Sequence, residues 1–123
     1  MRDFKQLQVW RRAHAMAVAN HELLRGVTGR EFVSLKSQLG RAADSIATNI
    51  VEGCGAASQR EFARYLDIAI KSANETEYHL IAAADRGAVD AGEATVLGAE
   101  VIEIRRMTYG LRKRILAEAA EVR

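Results

Sequence analysis

The side chains in this sequence with the means for catalysis or metal binding are few: Glu75, Glu77 and Asp85, the histidines His14, His21 and His79, and the single cysteine Cys54. Close carboxylates can exchange protons with a substrate. Helices can also hold a pair of metal ions, which takes a Glu-x-x-His motif on two helices and further inward glutamates. Here no glutamate stands three residues before a histidine; Glu75 and His79 are four apart. His14 and His21 share a helix edge two turns apart, too far to chelate one ion, and read as rim or partly buried structural residues. On a helical wheel Glu75 and Asp85 fall outward, while Glu77 lies at the edge of an apolar seam. Cys54 has glycines on both sides and no histidine nearby in sequence to take its proton. Gly53 and Gly55 match no phosphate-binding spacing and read as a helix end. The sequence therefore reads as non-enzymatic, with no catalytic residue, cofactor or metal.

The elements that would position these side chains are helices. The chain has 123 residues, 49% of them hydrophobic, with aromatics at 6% and no proline. That supplies a core for one domain and removes the strongest helix breaker. Turn signals at Gly26–Gly29, Gly53–Gly55 and Gly87–Gly92 divide it into four segments. Each segment repeats apolar residues at threes and fours. The first carries Leu7, Trp10, Ala17 and Leu24, with Ala13 at the edge. The second carries Leu35, Leu39, Ala42, Ala43, Ile46 and Ile50. Phe62, Leu66, Ala69, Ala73, Thr76, Leu80 and Ala84 mark the third; Leu97, Val101, Ile104, Thr108, Leu111 and Ile115 mark the fourth. Ser58 with Glu61 and Asp90 with Glu93 predict N-caps for the last two helices, and Asp3 one for the first. Short connections between long helices make the expected fold an all-α, antiparallel up-and-down four-helix bundle occupying residues 1–123 as one domain.

Some apolar residues lie outside these seams. Ile102, Tyr109 and Leu116 recur every seven residues on a second side of the fourth helix, as do Val9, Met16 and Leu23 on the first. Ile70 and Ile81 widen the third seam, and Tyr78 lies nearly opposite it. Aligned surface hydrophobes point to contact with further copies of the chain. Polar Gln38, Ser45, Asn49 and Glu52 line one edge of the second helix, where hydrogen bonds to neighbouring helices would fix register.

Net charge is only +2, too little by itself to imply nucleic-acid binding. Arg105, Arg106, Arg112, Lys113 and Arg114 nonetheless crowd the last helix, with Lys5, Arg11 and Arg12 near the chain start. Cations there also suit a helix C-terminus. A single cysteine offers no intramolecular disulfide, and no run approaches the roughly 20 apolar residues of a membrane span. The expectation is a cytoplasmic protein without a membrane partner.

The stretch QLGRAADSIATNIVEG (residues 38–53) resembles the signature of the 23S rRNA intervening-sequence proteins. FKQLQVW at 4–10, EFARYL at 61–66 with Ile68 and Ala69, and Glu75-Thr76-Glu77 extend the resemblance over most of the chain, most weakly over the last helix. The family commonly has a proline where this chain has Ala47, which implies a straighter second helix here. The resemblance implies a small bacterial four-helix bundle that assembles as a cyclic homo-oligomer, a pentamer, with no known catalytic residues. Some members are encoded within intervening sequences of the large ribosomal RNA gene, and related bundle proteins bind nucleic acid. RNA or DNA is thus the second partner class implied, after the chain itself.

Overall fold

A computed structural model describes residues 2–121; Met1, Val122 and Arg123, at the ends of the expected domain, lie outside the described residues. Four helices account for most of them: α1 (Gln8–Arg25), α2 (Val33–Cys54), α3 (Gln59–Asp85) and α4 (Ala91–Glu121). Each packs on its neighbour in sequence, and α1 closes the square against α4. This is the expected four-helix bundle.

The helix starts follow local chemistry. Ser58 Oγ accepts from Glu61 N at 3.1 Å, and Asp90 Oδ2 accepts from Glu93 N at 3.0 Å, so both expected caps form. Asp3 caps a short 3-10 turn, Phe4–Gln6, instead of α1, which begins without a side-chain cap. A second 3-10 turn, Arg30–Phe32, leads into an equally uncapped α2. α3 ends in paired reverse bonds, Ala88 N to Ala83 O and Gly87 N to Ala84 O, with Gly87 at φ +78°. That left-handed position is why glycine stands there. α2 runs unbroken through Ala47.

Leu39, Ile46, Ile50, Leu66, Leu80, Ile104 and Ile115 form the fully buried centre. Buried Thr76 and Thr108 satisfy their hydroxyls on the carbonyls of Ser72 and Ile104, one turn back. The α1 seam differs from expectation. Its core face is Val9, Ala13, Met16, Ala17, Asn20 and Leu24, while Leu7 and Trp10 are only partly buried. The reason is polar: fully buried Asn20 lies at the middle of that face, so a pattern built on apolar residues alone is rotated off centre. Trp10 instead stacks on His14 (5.2 Å between centroids) and meets Phe4 edge-on (4.8 Å) beside the N-terminal turn.

Polar contacts set the register between helices. Arg12 holds Glu100 through two bonds of 2.6 and 2.9 Å, tying α1 to α4. Arg105 reaches Asn74 at 2.9 Å and Glu77 at 2.6 Å, tying α4 to α3. His21 and Asp44, 2.9 Å apart, join α1 to α2. At these exposures each pair contributes about 1 kcal/mol or less, so the ion pairs set alignment while the apolar core supplies most of the stability.

Candidate functional site

Helices α3 and α4 carry most of the large hydrophobic side chains that are exposed among the described residues. Tyr78 (64% exposed), Ile81 (54%), Ile102 (45%) and Tyr109 (54%) all present large hydrophobic area to solvent. Antiparallel pairing of the two helices brings Ile81 and Ile102 onto one groove of about 410 Å³, with Ala91, Ala94, Gly98 and Ala99 along its floor and sides and Glu77 and Asp85 at its rim. Outside its own helix backbone, nothing among the described residues lies within 4 Å of a Cβ placed on Gly98. That glycine therefore opens the groove without relieving any crowding.

The expected interface residues separate into three groups. Tyr78, Ile81, Ile102 and Tyr109 are exposed; Leu23 and Leu116 are partly buried against the core. Val9, Met16 and Ile70 are corrected: all three are buried inside the protomer and have no surface to offer. Val9 and Met16 flank the core face centred on Ala13 and Asn20, and Ile70 is enclosed by the broad face of α3, which packs on both α2 and α4.

A second apolar recess lies between α1 and α4, lined by Ala19, Leu23, Val96 and Leu97 with Glu22, Asp90 and Glu93 around it. Val18 on α1 is exposed but does not line this recess. Neither Val18 nor Val96 belongs to the stripes read from sequence, because neither repeats along its helix.

The basic residues are less free than their number suggests. Arg105 is committed to Asn74 and Glu77, Arg106 pairs with Glu103 one turn away, and Arg112 Nε lies 2.5 Å from Asp67 Oδ1 as an ion pair without hydrogen-bond alignment. Glu103 is held below the ordinary carboxylate range chiefly by its hydrogen bond from Arg106. Lys113 and Arg114 are exposed with no salt bridge among the described residues. Arg2 grips Glu118 at 2.7 Å, which places the start of the chain at the same end as the end of α4. Lys5 and Arg11 therefore share that end with Lys113 and Arg114.

Along the polar edge of α2, Ser72 Oγ donates to Ser45 Oγ (2.8 Å), which also accepts from Asn49 Nδ2 (2.9 Å). Ser45 and Asn49 thus bond within α2 and across to α3. Gln38 donates to Ser34 within its own helix and, with Arg41, Ser72, Glu75 and His79, lines a polar groove between α2 and α3. Glu52 is exposed and makes no side-chain hydrogen bond among the described residues. Next to it, Gly53 meets the Phe62 ring so closely that a Cβ would lie 2.6 Å from Cδ1. Cys54 is buried, and desolvation pushes its thiol up, against nucleophilic use. Among the described residues no three His, Cys, Asp or Glu are placed to hold a metal ion, and no helix is long and apolar enough to cross a membrane.

The sequence profile described as "23S rRNA-intervening sequence protein" matches residues 5–110, three of the four helices and most of the last. The chain belongs to this family. Its fold is similar to a crystal structure of a protein of unknown function from the S23 ribosomal protein family of Bacteroides thetaiotaomicron, with a TM-score of 0.79 and 28% sequence identity. The similarity covers 85% of this chain and 98% of that one. No curated protein matches the chain. The polar edge of α2, where Ser45 and Asn49 bond and Gly53 admits the Phe62 ring, lies within the matched residues.

Proposed function

We propose that this protein is a non-catalytic scaffold that acts by assembling with copies of itself. The observation that carries this reading is where the exposed hydrophobes lie. Of the seven large hydrophobic side chains exposed among the described residues, five lie on α3 and α4; Ile81 and Ile102 line the groove between these helices, and Val96 lines the adjacent recess against α1. Burying such a side chain fully is worth roughly 1.5–3 kcal/mol, and covering the exposed half of several at once favours association. Two different surfaces on one protomer generate a ring when the rotation closes. Adjacent sides of a square face about 90° apart, and a closed ring of four or five copies needs faces about 90–108° apart. That geometry favours a small closed ring, and its size as a pentamer rests on the family resemblance alone. The buried, unpaired Cys54 suits a reducing compartment, the cytoplasm. Replacing Tyr109 with Glu should shift the assembled species to protomers on a sizing column; an unchanged elution position would remove α3–α4 as the contact.

A second reading, an adaptor that holds RNA, draws on the shared position of Lys5, Arg11, Lys113 and Arg114 at one end. Repetition of that patch around a ring would multiply a weak contact. Replacing Arg112, Lys113 and Arg114 with Gln should abolish RNA retention and flatten its salt dependence; retention with an unaltered salt slope would eliminate this patch.

A further inference from the structure

α4 carries a second strip along its whole length. Ala91, Thr95, Gly98, Ile102, Arg105, Tyr109, Arg112 and Leu116 follow one another at alternating spacings of four and three. This is the a/d spacing of a helix that packs along another helix, and it lies on the side away from the buried seam of Val101, Ile104, Thr108, Leu111 and Ile115. Within the protomer the strip is covered only in part: α3 touches it through Asp67, Asn74 and Glu77, and Ile102 and Tyr109 remain exposed. At Gly98 it dips into the groove.

One other helix shows a comparable exposed strip. On α1, Arg11, Ala15, Val18, Glu22 and Arg25 also alternate four and three, and every one is exposed. The outward strips of α2 and the start of α3 (Ser34, Gln38, Arg41, Thr48, Arg60, Arg64) are polar throughout. The charges of α1 also complement the α3–α4 face. Asp85 at the groove rim makes no salt bridge among the described residues, and α1 offers Arg11, which pairs with no carboxylate among them, and Arg25, whose one ion pair is an exposed contact with Glu22 on its own helix.

We infer that the α3–α4 groove receives α1 of a second copy, with Val18 and Ala15 at the centre of the contact and Gly98 as the notch that admits them. The inference rests on the self-assembly proposed above and names its two halves. The contact is heterologous: the surface that gives and the surface that receives are different, and each protomer has one of each.

Two substitutions test this without disturbing the core. Gly98→Leu fills the notch and improves the helix, since glycine in a helix interior is unfavourable. Val18→Glu charges an exposed position on α1. Light scattering behind a sizing column on the full chain should show the wild type as an oligomer and each variant alone as protomers, with helical circular dichroism and melting temperature retained. Mixed in equal amounts, the two variants should form one-to-one pairs, because the mixture restores a single intact contact between the α1 of Gly98→Leu and the groove of Val18→Glu. An oligomer that survives Gly98→Leu overturns the groove assignment. One that survives Val18→Glu shows that another surface fills the groove. Variants that both fail alone and do not pair on mixing also overturn the heterologous arrangement. A wild type that is itself a protomer defeats the scaffold reading, a different result from any of these.

Discussion

Gly53 closes the second helix against the third, and replacing it with alanine measures how tightly. An added Cβ would sit 2.6 Å from Phe62 Cδ1, 2.9 Å from Cε1 and 3.2 Å from Tyr65 Cβ. The obstacle is a rigid ring, itself buried in the core with its neighbours Ala63 and Leu66, so it can yield only by moving α3. Overpacking of this kind costs about 1–3 kcal/mol. Alanine recovers up to about 1 kcal/mol of helix propensity at an interior position, less near a helix end. The expected net loss is about 1–2 kcal/mol. Gly110→Ala is the control: it lies inside α4 with nothing within 4 Å, so only the propensity gain applies and stability should rise by up to about 1 kcal/mol. Urea unfolding followed by circular dichroism, with the midpoint compared at unchanged slope, reads both. A Gly53→Ala protein as stable as Gly110→Ala would refute the reasoning, because it would mean that the approach of Phe62 is not fixed.

Asn20 is fully buried, its Oδ1 has no partner, and its Nδ2 reaches Leu39 O only at 3.5 Å. Asn20→Leu should raise the melting temperature, with a gain of about 1–3 kcal/mol from removing an unsatisfied group; a destabilised variant would show that the amide is properly partnered. Cys54 should react with a thiol reagent far more slowly than the unfolded chain at pH 8, since burial both raises its pKa and blocks access. Arg2 bonds Cys54 O through its backbone and Glu118 through its side chain, so Arg2→Ala should speed that reaction; equal rates would mean the N-terminal segment does not cover the thiol. Glu103 has a lowered pKa in the fold, so its pairing with Arg106 stabilises at pH values above the ordinary glutamate range. That contribution is lost as pH falls through the depressed value. Glu103→Gln should therefore flatten the acid limb of the stability curve slightly, and an identical limb would show the pair to be energetically silent.

The bundle and two of its three expected caps could be read from sequence because they depend on local rules: spacing at threes and fours, Ser58 three before Glu61, Asp90 three before Glu93. What escaped depended on the third dimension. Asn20 occupies the centre of the α1 core face, so a search for apolar repeats assigned Val9 and Met16 to the surface and Leu7 and Trp10 to the core. Ile70, which widens the third seam and reads as an interface candidate, is buried because α3 packs on two helices. Ile102, Tyr109 and Ile81 were visible as a surplus of hydrophobes. The groove they border was not, because Gly98 and the alanines near it leave no hydrophobic signal of their own. Val18 and Val96 head no apolar repeat along their helices, so neither is legible as a stripe, and only the fold puts Val96 in a recess with Leu23. The basic cluster on α4 was plain in composition, but its pairing with Asp67, Asn74, Glu77 and Glu103 required the fold.

Covering of these exposed faces by further copies of the chain, as proposed above, is tested most directly by mass in solution. Light scattering behind a sizing column gives the mass directly, with absorbance at 260 and 280 nm recorded on nuclease-treated and untreated protein. Self-assembly should give one discrete species of several protomers, five for the closed ring, with the same mass and no nucleic-acid absorbance in both samples. A single-protomer mass across the concentrations tested would contradict it.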